Sequence, residues 1–256
     1  MKKDFKVIDG IKTAYIRREG EGVPVVILHG WGANIESIMP IVNSISGRPF
    51  LAYDAPGFGD SDEPTGVWST YDYSDFLLKV LKEFEIDRAI FIGHSFGGKT
   101  LTCFAPKHED MVEKLVLVDA SGVLPKRKMS YYFKVYSFKF LKNMYKLLFF
   151  WKKDSLEKFY KRFGSDDYRD TSGIMRSTFV KVVNESTEEE FSKINSDTLL
   201  IWGERDDATP VYMGKIFEKK IKNSGLVVLN GGHYSYLDDY GTFCAVINSY
   251  LGDIYG

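Results

Sequence analysis

The sequence predicts an α/β fold: a doubly wound, mostly parallel central sheet flanked by helices, with a helical unit inserted between two late strands. Three observations carry that prediction. Short apolar runs rich in β-branched residues alternate with stretches of helical period, the pattern of parallel strands joined by helical crossovers. Most of the runs are near-continuously apolar, as strands buried on both faces are. One connection is too long for a crossover, because 78 residues separate Asp119 from Thr198.

In chain order the strand-like runs are Thr13 to Arg17, Pro24 to Leu28, Pro49 to Tyr53, Ala89 to Ile92, Lys114 to Val118, Thr198 to Trp202 and Gly225 to Leu229. Gly, Pro or Asp bounds them, and they are too short for helices. Between them, Tyr73 to Phe84 sets Phe76, Leu77, Val80, Leu81 and Phe84 at helical spacing, and Phe243 to Leu251 repeats the pattern. The long connection has a helical period of its own. Tyr136, Phe140, Met144, Leu147 and Trp151 form an aromatic-rich stripe beside a second stripe of Lys139, Lys142, Lys146 and Lys153. From Ser121 to Phe163, twelve Lys or Arg stand against Asp154 and Glu157, although the whole chain has a net charge of -1. That imbalance sets residues 121–195 apart from a core made of 1–120 and 196–256.

The near-neutral total gives no reason to expect nucleic acid. Cys103 and Cys244 have no metal-ligand spacing and read as free thiols of a reducing compartment. No apolar stretch follows Met1-Lys-Lys-Asp-Phe-Lys6, and no run reaches the ~18 apolar residues of a membrane span. The expectation is a cytoplasmic protein with no secretory signal.

Residues 93–100, Gly-His-Ser-Phe-Gly-Gly-Lys-Thr, fit two motifs. Gly93, Ser95 and Gly97 spell G-x-S-x-G, the tight strand-to-helix turn that presents a nucleophilic serine. Gly93, Gly98, Lys99 and Thr100 spell a phosphate-cradling loop, for which Asp119 after an apolar strand could hold a magnesium ion. The rest of the chain separates them. A serine nucleophile needs a histidine base, a carboxylate to orient it and two N–H donors for the oxyanion.

Of four histidines only His233 follows a late strand, and its Gly-Gly approach allows a sharp turn. Asp206, just past the preceding strand, completes the order Ser, Asp, His. After the first long strand comes Leu28-His-Gly-Trp-Gly32, a turn that can aim the Trp31 N–H into the site beside that of Phe96. A phosphate loop uses none of these.

Taken together, His29-Gly-Trp-Gly32, Asp54-Ala-Pro-Gly-Phe-Gly-Asp-Ser-Asp62, Gly93-His-Ser-Phe-Gly-Gly98, Gly203-Glu-Arg-Asp206 and Gly232-His233 resemble the α/β-hydrolase fold family. The resemblance spans nearly the whole core and places the insertion where that family carries a helical cap. It implies a carboxylesterase-like serine hydrolase that needs no cofactor or metal. Ser95, Asp206 and His233 would be catalytic, and the backbone N–H groups of Trp31 and Phe96 would form the oxyanion hole. The partner would be a small-molecule acyl ester, not nucleic acid.

Asp119 is the alternative acid position. Thioester cleavage uses the same groups. Ring-fission C–C hydrolases usually show Asn before the nucleophile and Trp after the base, where this chain has His94 and Tyr234. A ligand receptor on the same scaffold is a further reading. Lesser expectations follow: Asp54 shapes a loop, His29 bonds within its own turn and Asp207 caps the next helix. Lys99 and Thr100 are ordinary helix residues, and Arg176 is solvated. The basic cap helix is a lid whose aromatics cover an apolar pocket and whose lysines are solvated, with peripheral contact to an anionic surface as the lesser reading.

Overall fold

The structure, a computed structural model, describes residues 2–45, 47–126, 137, 144 and 173–252. Its centre is an eight-stranded sheet. In chain order the strands are β1 (Asp4–Ile8), β2 (Ile11–Arg18), β3 (Val25–Leu28), β4 (Phe50–Tyr53), β5 (Ala89–His94), β6 (Val112–Val118), β7 (Thr198–Gly203) and β8 (Ser224–Leu229). In space they run β1-β2-β4-β3-β5-β6-β7-β8. β2 is antiparallel to both β1 and β4, and the pairs from β4 through β8 are parallel.

Seven strands match the predicted runs, and β1 is the addition. It lies at the sheet edge with Phe5 and Val7 exposed, so it has no core-facing apolar run to betray it. Its turn did carry a signal. Asp9-Gly10 joins β1 to β2 with φ of 50° and 78°, the two positive values that a two-residue hairpin turn asks of an Asp-Gly pair.

Helices cover both faces. On one lie α2 (Thr70–Glu83) and α3 (Phe96–Phe104), and on the other α1 (Met39–Ser44). α4 (Gly173–Asn184) follows in the chain, then α5 (Val211–Lys220), the short α6 (Ser235–Asp238) and α7 (Tyr240–Leu251). β5 shows why both faces are needed: Ala89 and Phe91 enter one core, Ile90 and Ile92 the other. α2 starts three residues before its predicted bound because Ser69 caps it. The Ser69 hydroxyl accepts the Asp72 N–H, and the Asp72 carboxylate accepts the Ser69 N–H at 2.6 Å.

From β3 the chain crosses to β4 on one side and returns to β5 on the other. The strand order therefore reverses between β3 and β5, and the crevice outside their carboxyl ends is where such sheets bind ligands. Of the predicted aromatic stripe, Tyr136, Phe140, Leu147 and Trp151 lie outside the described residues, as do Lys139, Lys142, Lys146 and Lys153. No helix among the described residues is long and apolar enough to cross a membrane.

Candidate active site

Ser95 stands between β5 and α3 with φ 51° and ψ −110°, a strained backbone for a residue with a side chain. Three groups hold the turn. Its N–H donates to Val118 O at 3.0 Å, and its carbonyl accepts the N–H groups of Lys99 at 3.0 Å and Ser121 at 3.1 Å. Glycines make the turn sterically open. A Cβ on Gly93 would lie 2.6 Å from the Gly97 carbonyl carbon, and one on Gly97 would lie 2.4 Å from Leu28 O.

His233 meets this serine from the loop after β8, with Nε2 2.9 Å from Ser95 Oγ. Its Nδ1 lies 2.9 Å from Asp206 Oδ2. A carboxylate only accepts, so the ring proton is on Nδ1 and Nε2 is free to accept from the serine. Asp206, past the end of β7, is buried and fully engaged. Its Oδ1 accepts the N–H groups of Ala208 and Thr209, both at 2.8 Å, and its Oδ2 accepts the Thr209 hydroxyl at 2.6 Å. Burial alone would raise the Asp206 pKa, but the bonds from His233 and Thr209 outweigh it and hold the carboxyl below its usual value.

Asp119 is spent elsewhere. Its Oδ1 accepts Gly203 N–H at 2.7 Å, and its Oδ2 accepts Ser235 N–H at 3.1 Å and Ser235 Oγ–H at 2.6 Å. It thus ties the β7 end to α6. Burial pushes its carboxyl up to about 7 in spite of these donors.

The turn after β3 packs directly on the elbow, since a Cβ on Gly30 would be 3.3 Å from Ser95 Cβ. Among the described residues, neither the Trp31 nor the Phe96 amide donates to a turn, loop or cap acceptor. Both side chains line a cavity of about 370 Å³ that opens on Ser95 and His233, together with Phe179, Val182, Met213 and Tyr234. Trp31 stacks edge-on against Phe58 and Phe96.

Three smaller expectations change, and a fourth, for His29, is met and extended. His29 does bond within its turn, through Nδ1 to Gly30 O at 2.7 Å, but its Nε2 also accepts the Ala55 N–H at 2.9 Å. Asp207 does not cap α5, whose N-terminal position is Pro210 with no side-chain cap; the tight turn around Asp206 takes up the amides instead. Arg176 is 8% exposed, buried in α4 and not solvated. Lys99 is no ordinary helix residue. At 4% exposure it points across to the end of α4, where Nζ donates to Val182 O at 2.6 Å and Glu185 O at 2.8 Å. Asp54 behaves as expected, accepting the Ile35 and Asp60 N–H groups and the Lys3 ammonium.

Thr209 and Ser121 are residues the sequence did not single out. Thr209 anchors Asp206, and Ser121 holds the Ser95 carbonyl with both its N–H and its hydroxyl. Thr209-Pro210 after Asp206 was the available signal, because a hydroxyl three residues on is placed to close a turn on an aspartate.

The sequence profile of the family described as alpha/beta hydrolase fold matches residues 23–240. The AB hydrolase superfamily protein YisY of Bacillus subtilis strain 168 is 25% identical over 250 residues, covering 89% of this chain and 91% of that protein. The 2-hydroxymuconate semialdehyde hydrolase of Pseudomonas sp. strain CF600 is 34% identical over 121 residues, covering 44% of this chain and 42% of that protein. Among solved structures, the enol-lactonase from Burkholderia xenovorans LB400 superposes with a TM-score of 0.76 at 20% identity, covering 98% of this chain and all of the other.

Proposed function

Since the chain belongs to the alpha/beta hydrolase fold family, we propose that it is a serine hydrolase that cleaves carboxylic esters of small or medium, mainly apolar acyl groups. The observation that carries this reading is the relay from Ser95 Oγ through His233 to Asp206, both steps at 2.9 Å, on the wall of the cavity. His233 Nε2 takes the Ser95 proton as the oxygen attacks the ester carbonyl. Asp206 holds the ring's tautomer and stabilises the imidazolium. The Trp31 and Phe96 N–H groups receive the oxyanion, where one such donor is typically worth ~3 kcal/mol. His233 then protonates the leaving alcohol, and water repeats the attack to release the acid.

The apolar wall of Trp31, Phe96, Phe179 and Met213 suits an alkyl or aryl acyl group. α4, the described helix of the 121–195 insertion, supplies Phe179 and Val182 to this wall. The test is turnover of short-chain p-nitrophenyl esters by wild type and Ser95→Ala, with fluorophosphonate labelling of Ser95. Equal rates in the two proteins reject the reading. Labelling without turnover points to a ligand receptor on the scaffold.

A second reading is C–C bond hydrolysis, favoured by the likeness to a 2-hydroxymuconate semialdehyde hydrolase over part of the chain. His94 and Tyr234 stand against it, at positions where such enzymes usually have Asn and Trp. Turnover of a ring-fission dienoate faster than of any p-nitrophenyl ester would establish it.

A further inference from the structure

His94, the residue before the nucleophile, is buried and takes no part in the relay. Its Nε2 lies 2.8 Å from the main-chain oxygen of His233. A carbonyl only accepts, so Nε2 carries the proton and donates it. Two consecutive residues therefore hold the base at two points, His94 by the backbone and Ser95 by the ring. The His94 ring is itself fixed. It lies 5.1 Å from the rings of both Tyr234 and Tyr236, and 5.0 Å from that of His233. On its other edge Gly30 leaves the necessary room, because a Cβ there would be 3.0 Å from His94 Nδ1. Nδ1 is buried with no partner among the described residues.

We propose that His94 is a positioning residue: through its Nε2–H donor it locks the His233 main chain, and so the imidazole, in line with Ser95 Oγ and Asp206. The inference rests on the serine-hydrolase reading above. Position matters here because a base displaced by 1 Å can lose ~100-fold in rate. Neutrality matters because a second cation beside the ring would oppose the imidazolium that His233 becomes. The groups facing His94 are His233 and Tyr234 on the base loop, Tyr236 on α6, His29 after β3 and Asp206 after β7. Burial, with His233 adding to it, pushes the His94 pKa down to about 3, which keeps it neutral across the working range.

The test compares wild type, His94→Leu and His94→Gln in ester turnover across pH, with folding checked by circular dichroism. Gln keeps an N–H donor at similar reach, while Leu keeps only the bulk. The expected result for His94→Leu is a kcat loss of ~10- to 100-fold with KM little changed, an altered acid limb of the kcat/KM profile, and recovery of most of the loss in His94→Gln. A folded His94→Leu with wild-type kcat and pH profile overturns the proposal, as does a Gln variant as impaired as Leu.

If the Leu variant does not fold, ¹⁵N NMR of wild-type histidines decides. His94 protonated on Nε2 alone from about pH 5 to 9 supports the role, and titration within that range overturns it. Wild type with neither ester turnover nor Ser95 labelling overturns the hydrolase reading and the positioning role together. Active wild type with an unimpaired His94→Leu overturns the positioning role alone.

Discussion

Lys99 and Glu185 clasp α3 to the chain just after α4. The Lys99 ammonium donates to the Glu185 main-chain oxygen, while the Glu185 carboxylate accepts the N–H and hydroxyl of Thr70, both at 2.8 Å, at the start of α2. Beside this clasp the Thr102 and Thr187 hydroxyls meet at 2.8 Å. α2, α3 and the segment after α4 are thus joined through one buried cation.

That cation has a pH signature. Burial lowers the Lys99 pKa from its usual 10.5 to about 8. Between those values the unfolded chain binds the extra proton, so folding stability rises with pH there and is lost as pH falls through 8. The shift corresponds to ~3 kcal/mol at most. Denaturant unfolding at steps from pH 7.5 to 10 should show a rise in wild type that is absent from Lys99→Met. Parallel curves for the two proteins would refute it.

Ser95 holds a positive φ that glycine would adopt freely. Ser95→Gly should stabilise the fold by ~1 kcal/mol while abolishing ester turnover. Thermal unfolding beside an activity assay checks both halves. An unchanged or lower Tm would show that the turn stores no strain.

Asp206 and Asp119 should separate in their effects. Asp206→Asn loses the tautomer control of His233 and should cut kcat by ~10⁴-fold. Asp119→Ala leaves the Gly203 and Ser235 N–H groups short of an acceptor, costing ~1–3 kcal/mol of stability each, with kcat reduced far less than in Asp206→Asn. Kinetics and Tm measured on both variants would show a reversal if Asp119 were the working acid.

Gly97→Ala would set a methyl 2.4 Å from Leu28 O, a backbone atom that cannot swing away. β3 and α3 must then part, which should lower Tm sharply and remove activity through the Trp31 turn that follows β3. A Gly97→Ala variant with wild-type Tm and turnover would mean that the crossing is looser than the structure shows.

Much of this was legible in the residues. Apolar strands buried on both faces leave a continuous run that needs no contacts to be recognised, which is why β3 to β7 were foreseen. β2 and the edge strand β8 were foreseen from residue type and bounding turns, and the exposed edge strand β1 was not. The motif glycines, the order of Ser95, Asp206 and His233, and the Trp31 turn could be read because tight turns demand specific residue types. Lys99 was misread because its environment comes from chain far away in sequence. Lys99 meets main-chain oxygens 83 and 86 residues on, and a sequence prints no burial for a lysine.

By itself, then, the sequence determined the doubly wound sheet and the set of groups able to serve a serine nucleophile, because local period and turn chemistry are properties of neighbouring residues. Only the tertiary structure decided that Asp206, and not Asp119, meets His233, that His94 Nε2 reaches the His233 main-chain oxygen, and that Lys99 of the phosphate-loop motif holds a helix end. Each of those is a matter of two or three ångströms between segments the chain brings together only on folding.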